Sequence, residues 1–469
     1  MAIEEDLSEW EIAGMGKMIS YSFGYVVVNY LLLYGLANLL YFYEVEMGLP
    51  YIYIMIAGIV FALWNMVNDP LLGYLTDKPL KWTAKYGLRA PWVVICTPLI
   101  LIFFFLIWIP PQGASAMIMF LWFILITCLF DTFFSIYNDH IYGGYTNQFP
   151  SEYERRRSFA IVTIIMFIVI TAMVVVGSLM IEFGNPASFV SWALVMIIFL
   201  GIFSAIVFPG IRESPEMKQM FINAHEKAEK ASFFRTLKVA LKTKNFRVSL
   251  AGYTIQVTAA TIYLASMPYM LKDVYGVPYA MNALLAIIGT IAALCSIPFW
   301  YNYSRKHGFK KTYWVTYVIQ GILYIPFLFT PNFWFHLIFY IMFQINGIGL
   351  TTMLMPVASD TYDEVSSNIG FRVDASLVGL RTFFFRVAFM LIFIVILPIH
   401  ILTGYNTDPN AFGPAYQSAA ALWGIRIHTA LIPGVMMIIM GLIFKKYFTL
   451  EGEEKLALVK KLKDLGIYR

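Results

Sequence analysis

The segment 51–74 reads YIYIMIAGIVFALWNMVNDPLLGY, an apolar run that holds one carboxylate, Asp69, directly before Pro70. A helix of this length and composition is long enough to cross the hydrocarbon core of a bilayer. A carboxylate in hydrocarbon is costly and the proline disturbs the helix, so such a residue is retained mainly where it faces a partner, an ion or water. We therefore predict a functional role for Asp69; the structural alternative is that it caps the helix segment after Pro70.

The composition of the whole chain is typical of a polytopic helical membrane protein. Of the 469 residues, 60% are hydrophobic and 13% are charged, which is too little charge for the solvated surface of a soluble protein of this size. Long apolar runs recur, and we predict an integral protein of the cell membrane with the lipid bilayer as a partner. The twelve predicted spans are 20–43, 51–75, 91–110, 115–142, 158–181, 188–210, 247–270, 281–302, 312–330, 333–357, 375–402 and 416–444.

Basic residues decide the orientation of these spans. Lysines and arginines gather in alternate loops, for example at 78–89, 155–157, 212–247 and 305–311, and in the tail after the last span. In the intervening loops Lys272 is the only clear case. We therefore expect both termini in the cytoplasm. We expect no signal peptide in 1–17. We also expect no nucleic-acid partner, because the basic residues lie on one side of the membrane.

The charged segment 211–246 divides the chain into two halves. We predict an all-α membrane protein with six helices in 1–210, a cytoplasmic linker at 211–246, six helices in 247–444 and a cytoplasmic tail at 445–469. The segment 70–77 also follows the same course as 298–305, and two similar halves around a central site are the usual build of secondary transporters. The alternative is that any two helix ends with basic loops look alike.

Three residues form the predicted coupling site for a cation. Asn65 lies one turn before Asp69 on the same helix face, and Asp131 lies in the fourth span with Ser135 on the same stripe. Several oxygens that point one way suit sodium. A buried carboxylate alone suits a proton. The sequence therefore leaves sodium and proton open as the co-transported ion.

A central binding site is predicted from the polar residues of the other spans. Arg386, in the middle of the eleventh span, needs an anion or a water-filled cavity, and Asp69 and Asp131 are the expected partners. An inert structural ion pair is the equal alternative for Arg386. The remaining candidates for substrate binding are hydroxyl and amide groups that are also typical of ordinary helix packing: Asn29, Asp131, Ser135, Gln256, Tyr263 and Gln344.

No catalytic signature occurs in the sequence. A Walker loop, a Gly-x-Ser-x-Gly elbow and a metal motif are all missing, so we expect no enzyme activity and no cofactor, and we expect an ion gradient as the energy source. We expect a monomer. Two alternatives of other classes remain, a receptor or scaffold that transports nothing, and a membrane transferase that uses Asp360 and Asp363 with a metal.

Three motifs together resemble a known family. The first is 64–73 followed by Arg89-Ala90-Pro91-Trp92, the second is Asp131 with Glu154-Arg155, and the third is 358–364 with 370–372. In this order they resemble the glycoside–pentoside–hexuronide:cation symporters (melibiose permease-like) of the major facilitator superfamily. The resemblance covers nearly the whole chain, and it implies the major facilitator fold with cation-coupled symport of a sugar.

The resemblance also implies roles for single residues. Asp69 matches a cation-site aspartate, which makes it a possible sodium ligand, and Asp131 matches an acid of the sugar site. Arg386 stands where the family has a lysine. Asn65 and Asn29 stand where many members have aspartates, and the fifth span lacks the expected arginine. These departures weaken the sodium and the sugar assignments alike.

We therefore expect a cation-coupled symporter for a sugar or glycoside that works by alternating access. The alternative cargo on the same fold is an amphiphilic or lipid molecule, or another small organic solute. The gates are predicted in the cytoplasmic loops 76–90, 143–157 and 358–374, where charged residues form ion pairs that close and open the inward side. These residues are Asp77, Arg89, Arg155, Asp360, Asp363 and Arg372.

Overall fold

A computed structural model describes residues 13–76, 78–227, 233–370 and 374–465, and within these ranges the regular structure is helical throughout. Asp77 and Arg372 lie outside the described residues. The chain divides into two compact units, of which the first holds 13–42 and 52–227 and the second holds 43–51 and 233–465. The short segment 43–51, which joins the first two long helices, thus belongs to the second unit.

The first unit contains six long apolar helices and one shorter helix. The first long helix continues beyond Asn29 as a π-helical stretch, Tyr30–Gly35, and short helical turns occupy Leu39–Tyr41 and Thr83–Tyr86. The helices are α1 (Met15–Asn29), α2 (Tyr51–Thr76), α3 (Ala90–Ile107), α4 (Ala116–Gln148), α5 (Glu152–Met180), α6 (Pro186–Ile211) and α7 (Pro215–Lys227).

The second unit contains the remaining long helices, three π-helical turns and the helix of the tail. The π-helical turns are Phe42–Glu46, Met270–Tyr275 and Ile427–Leu431, and short 3-10 turns occupy Tyr279–Met281, Ile325–Leu328 and Pro414–Tyr416. The helices are α8 (Phe233–Lys242), α9 (Lys244–Tyr269), α10 (Asn282–Tyr324), α11 (Phe333–Ile369), α12 (Asp374–Thr403), α13 (Ala419–Arg426), α14 (Ile432–Tyr447) and α15 (Gly452–Asp464).

Eleven helical segments of the described chain are long and apolar enough to cross a membrane. One of them, Tyr279–Leu328, has 50 residues, which is about 75 Å of helix and more than twice the ~30 Å hydrocarbon core. It breaks at Gly308, whose φ of 79° is not helical. One crossing on each side of this break matches the predicted eighth and ninth spans, so the described residues contain twelve candidate membrane spans, six in each unit.

The start of α5 explains one of the sequence motifs. Ser151 and Glu154 form a capping box, in which the Ser151 hydroxyl accepts from the Glu154 backbone N–H at 3.2 Å and the Glu154 carboxylate accepts from the Ser151 N–H at 3.2 Å. The same carboxylate accepts from the backbone N–H of Ala13 at 2.7 Å. Since a capping box satisfies two otherwise unpaired N–H groups, Glu154 fixes where α5 begins.

Two polar residues differ from their expected environment. His140, expected to be solvated near the cytoplasmic end of α4, is buried and stacks on Trp92 with ring centroids 6.1 Å apart. Lys272, expected in a loop, is fully buried in the turn Met270–Tyr275, where its Nζ donates to the carbonyl of Asp408 at 3.1 Å. Protein surrounds both polar side chains, and the hydropathy of the neighbouring sequence does not reveal this burial.

Candidate cation and substrate site

Two carboxylates of the first unit are held by reciprocal hydrogen bonds between α2 and α4. Ser135 of α4 donates to Oδ1 of Asp69 on α2 at 2.6 Å. Asn68 of α2 donates to Oδ2 of Asp131 on α4 at 3.4 Å. Asp131 and Ser135 are one helical turn apart, so a single stripe of α4 supplies one acceptor and one donor to α2. The predicted grouping of Asp69, Asp131 and Ser135 is therefore present.

Asn65 provides an oxygen that no described residue satisfies. Its side chain is 1% exposed, and its Nδ2 donates to the Phe61 carbonyl of the same helix at 2.8 Å. Within the described ranges of the chain, the Oδ1 atom is buried and has no hydrogen-bond partner. A buried acceptor left unpaired costs about 1–3 kcal/mol. A small cation on the same helix face as Asp69 would satisfy it.

The donor set suits an alkali cation better than a transition metal. Carboxylate, amide and hydroxyl oxygens are hard ligands. In the part of the chain that the structure describes, no group of three or more His, Cys, Asp or Glu side chains has the arrangement of a metal centre. What these residues offer is one carboxylate, Asp69, with neutral oxygens from Asn65 and Ser135.

Two other predicted substrate residues lie in different units. Asn29 of α1 donates to the carbonyl of Tyr25 at 2.8 Å and to the hydroxyl of Tyr142 at 3.1 Å. Its amide therefore belongs to a tyrosine cluster between α1 and α4. Arg386 of α12 is 8% exposed in the second unit. Its expected pairing with Asp69 or Asp131 joins the two units and stays a prediction.

The polar residues predicted on α9 and α11 are engaged within the second unit. Gln256 Oε1 accepts from the hydroxyls of Tyr313 at 3.1 Å and Tyr317 at 3.5 Å. Tyr263 is buried and its hydroxyl bonds with His336 Nε2 at 2.9 Å. Gln344 lies against Gly289 of α10, where a Cβ atom would meet its Nε2 at 3.2 Å. A binding role for these three residues stays a prediction.

Three of the described gating candidates have partners of different kinds: a side-chain amide, backbone carbonyls and a lysine of the tail. Arg89 Nε donates to Asn147 Oδ1 at 3.2 Å. Arg155 donates to two backbone carbonyls, those of residues 149 and 150. Asp360 pairs with Lys455 of α15 at 2.7 Å, and Asp363 is half-buried on α11. The tail helix α15 thus contacts a predicted gate segment, although its lysine was not among the candidates.

One buried polar cluster was missed by the sequence analysis. Glu44, His400 and His428 lie in the second unit with 0–1% exposure and are joined by hydrogen bonds. The sequence does contain a signal for this cluster, since His400 and His428 fall inside predicted apolar spans. Ionisable residues inside such spans are functional candidates by default. Glu44 sits just outside the first predicted span, where a carboxylate is ordinarily expected to be solvated, so its burial could not be read from the sequence.

Long apolar helices with two carboxylates hydrogen-bonded between them are typical of a membrane protein of the secondary-transporter class. The chain belongs to the MFS/sugar transport protein family, whose model matches residues 12–449. The expected major facilitator fold is thereby confirmed. The family and the relatives below are transporters, so the expectation that the chain is not an enzyme is confirmed, and the transferase alternative is set aside.

Relatives and solved structures give further detail. The chain is 26% identical over 286 residues to a sodium-dependent lysophosphatidylcholine symporter of Mus musculus. The matched region covers 53% of this chain and 51% of that protein. The chain thus spans about half the length of the curated relatives it matches. The xylose transporter XylE from E. coli has a TM-score of 0.59 at 11% identity, with 96% and 98% of the two chains covered. The nucleoside transporter NupG has a TM-score of 0.57 at 15% identity, with 93% and 98% covered. These two likenesses concern the fold alone.

Proposed function

We propose that this chain is a sodium-coupled symporter for an amphiphilic solute with a phosphate-bearing headgroup, such as a lysophospholipid. The observation that carries the coupling ion is the unsatisfied Oδ1 of Asn65 on the helix face that holds Asp69. Sodium is also the coupling ion that the names of the relatives give. Sodium is here a cargo that moves with the solute and leaves again.

The solute class rests on the relatives and on one buried cation. The matched relatives are named for lysophosphatidylcholine, which favours the lipid alternative over the sugar that the family resemblance implied. Arg386 is a buried guanidinium in the middle of α12, and guanidinium groups match phosphate by bidentate hydrogen bonds. We assign it to the headgroup phosphate. We also propose that both termini lie in the cytoplasm, because the basic loops favour that orientation.

An uptake assay tests the substrate and the coupling ion together. Cells that produce the protein receive radiolabelled lysophosphatidylcholine bound to albumin, or a labelled α-galactoside, in sodium chloride or N-methylglucamine chloride. We expect sodium-dependent uptake of the lysolipid and none of the sugar. Sodium-dependent uptake of the galactoside alone would return the sugar assignment, and binding of the lysolipid without uptake would indicate a receptor.

Two substitutions test the coupling residue with a matched control. Asp69→Asn is expected to abolish sodium-driven accumulation while it permits exchange of the solute across the membrane, because the carboxylate that binds the ion is gone. Glu182→Gln removes an exposed carboxylate in the turn between α5 and α6 and is expected to leave uptake unchanged. Uphill accumulation by Asp69→Asn would refute the coupling role.

A further inference from the structure

A buried chain of hydrogen bonds links four elements of the second unit. Oε1 of Glu44 lies 2.7 Å from Nδ1 of His400, and Nε2 of His400 lies 3.1 Å from Nε2 of His428. Nδ1 of His428 lies 2.7 Å from Oγ of Ser266. All four side chains are buried. Glu44 belongs to the turn Phe42–Glu46, His400 to α12, His428 to the turn Ile427–Leu431 and Ser266 to α9.

Two tyrosines fix the Glu44 end of this chain. The hydroxyl of Tyr269 donates to Oε2 of Glu44, so both oxygens of the carboxylate have partners. The ring of Tyr405 stacks on His400 with centroids 4.3 Å apart. Because each member is held from two sides, the imidazole rings keep their orientation while protons move between them.

The deprotonated chain has a single consistent arrangement of hydrogens. Each contact needs one hydrogen between its two heavy atoms. Ser266 then donates to Nδ1 of His428, His428 donates from Nε2 to Nε2 of His400, and His400 donates from Nδ1 to Glu44. Both imidazoles are neutral and Glu44 is a carboxylate. Every donor points toward Glu44, and the chain carries one negative charge.

One added proton reverses the direction of the hydrogen bonds between Ser266, His428 and His400 and breaks none of them. Ser266 Oγ also lies 2.7 Å from the carbonyl of Ile262, so its hydrogen has a second acceptor. When it turns there, His428 donates from Nδ1 to Ser266 and accepts at Nε2 from His400. His400 and Glu44 then share the remaining proton, as an ion pair or as two neutral groups. The chain is now neutral, and all hydrogen bonds persist.

We infer that the Glu44–His400–His428 chain is a binding site for one proton, separate from the Asp69 cluster, and that its protonation sets the rate of transport. A buried structural ion pair would need only one hydrogen arrangement. The Glu44–His400–His428 chain has two hydrogen arrangements that differ by one proton and keep the same hydrogen bonds. The hydroxyl of Ser266 turns between them, toward His428 in one and toward the Ile262 carbonyl in the other. The effect on transport rests on the proposed function, whereas proton binding does not.

The charges around the chain favour the added proton. Lys272 and Asp273 of the neighbouring π-helical turn are fully buried, and Asp273 accepts from Tyr405 at 2.7 Å. Lys272 lies within electrostatic reach of Glu46, Asp273 and Asp408. Arg426, two residues before His428, is the last residue of the preceding helix α13. Asp273 also lies within electrostatic reach of His400 and adds a second acid beside Glu44, which stabilises a proton on these hydrogen-bonded residues, while Lys272 next to Asp273 opposes it.

The histidine rings provide a direct test of proton binding. The whole protein has six histidines, so solid-state NMR of 15N-histidine-labelled protein in lipid resolves the tautomer of each ring, with His428→Gln to assign its signals. We expect His428 to change from the Nε2–H to the Nδ1–H form as pH falls from about 9 to 5. A single tautomer of His428 throughout that range would overturn the proposal, and no solute is needed for the measurement.

Uptake at saturating sodium tests the consequence for transport. Wild-type uptake of lysophosphatidylcholine is expected to change several-fold across the same pH range, and Glu44→Gln and His428→Gln are expected to lose that response. His336→Gln is the matched control, since His336 is an equally buried histidine of the second unit that bonds to Tyr263 and Tyr275 instead. It is expected to keep the response.

The two readouts separate the possible failures. The effect on transport would be overturned if the His428 tautomer changes with pH in the wild-type protein while uptake by Glu44→Gln and His428→Gln keeps the wild-type pH dependence. A tautomer change in a protein that takes up no lysolipid would contradict the proposed function and leave the proton site standing. If either chain variant unfolds, the NMR titration of the wild-type protein still decides whether the site binds a proton.

Discussion

Oγ of Ser135 lies 2.6 Å from Oδ1 of Asp69 and so joins α4 to α2 at the level of the predicted coupling residue. A hydrogen bond to a carboxylate is stronger than one between neutral groups and fixes the direction of the acid. The Asp69 carboxylate is thereby held in place before any cation arrives. Preorganisation of this kind lowers the cost of binding an ion.

Ser135→Ala is predicted to weaken sodium binding. A hydrogen bond to a charged group contributes about 1.5–3 kcal/mol, so the sodium concentration for half-maximal uptake should rise about tenfold or more. Ser191→Ala is the control, because the exposed Ser191 donates to the carbonyl of Ala187 in its own helix, at 3.0 Å. Sodium titrations of uptake measure both; an equal effect of the two substitutions would contradict the role of Ser135.

Asn65 is predicted to set the strength of the sodium site. Asn65→Asp places a second carboxylate beside Asp69 and should lower the sodium concentration for half-maximal uptake, since charge raises the affinity for a hard cation. Asn65→Leu removes the unsatisfied oxygen without opening a large void and should weaken sodium dependence strongly. Opposite shifts in sodium titrations are expected. Unchanged titrations for both variants would show that Oδ1 of Asn65 does not contact the ion.

The spans were predictable from the sequence because hydrocarbon demands long apolar runs with internal hydrogen bonds. Even the break at Gly308 falls between two predicted spans. The π-helical turns Phe42–Glu46, Met270–Tyr275 and Ile427–Leu431 were not foreseen, since their backbone depends on packing that hydropathy does not encode. Each of the three turns carries a buried titratable residue: Glu44, Asp273 and His428 respectively.

The Asp69 cluster was predictable in part because its members are spaced along two helices. Asp131 and Ser135 share a stripe by their i, i+4 spacing, and Asp69 stands out in its apolar helix. The partner that each residue bonds to across helices was not predictable. The link of Glu44 to His400 spans 356 residues, and no local pattern relates positions that far apart.

Gly87 is predicted to be intolerant of a side chain. Its φ is 97°, and a Cβ atom there would lie 1.7 Å from Oε2 of the buried Glu213. Gly113 is the control, because its φ is 70° but no atom lies within 4 Å of its Cβ position. Gly113→Ala should cost about 1–2 kcal/mol from backbone strain alone, and Gly87→Ala should cost more, both from the added clash and from a backbone with ψ 176° that only glycine adopts readily. Thermal unfolding in detergent compares them; equal losses would contradict the clash.

Glu213, in the segment after α6, makes the stability of the first unit depend on pH. The carboxylate is 3% exposed, and its Oε1 accepts from the backbone N–H groups of Leu88 at 3.1 Å and Arg89 at 2.9 Å. Burial raises the pKa of Glu213 above its ordinary value of 4.5, and the hydrogen bonds from the Leu88 and Arg89 backbone only partly oppose this. A carboxyl whose pKa is higher in the folded state binds its proton more tightly there, so it contributes stability at low pH that is lost as pH rises through the folded pKa.

Glu213→Gln removes this titration while it keeps an oxygen for both N–H groups. At a pH below about 4.5 the glutamic acid and the glutamine are both neutral, and the two proteins should unfold at similar temperatures. As pH rises, the wild-type protein must keep a buried charge and the variant need not, so the variant should become the more stable of the two and remain so above the folded pKa. The midpoint of thermal unfolding at a series of pH values measures the difference. A variant that loses stability relative to the wild-type protein as pH rises would mean that the two backbone N–H groups stabilise the carboxylate more than burial destabilises it.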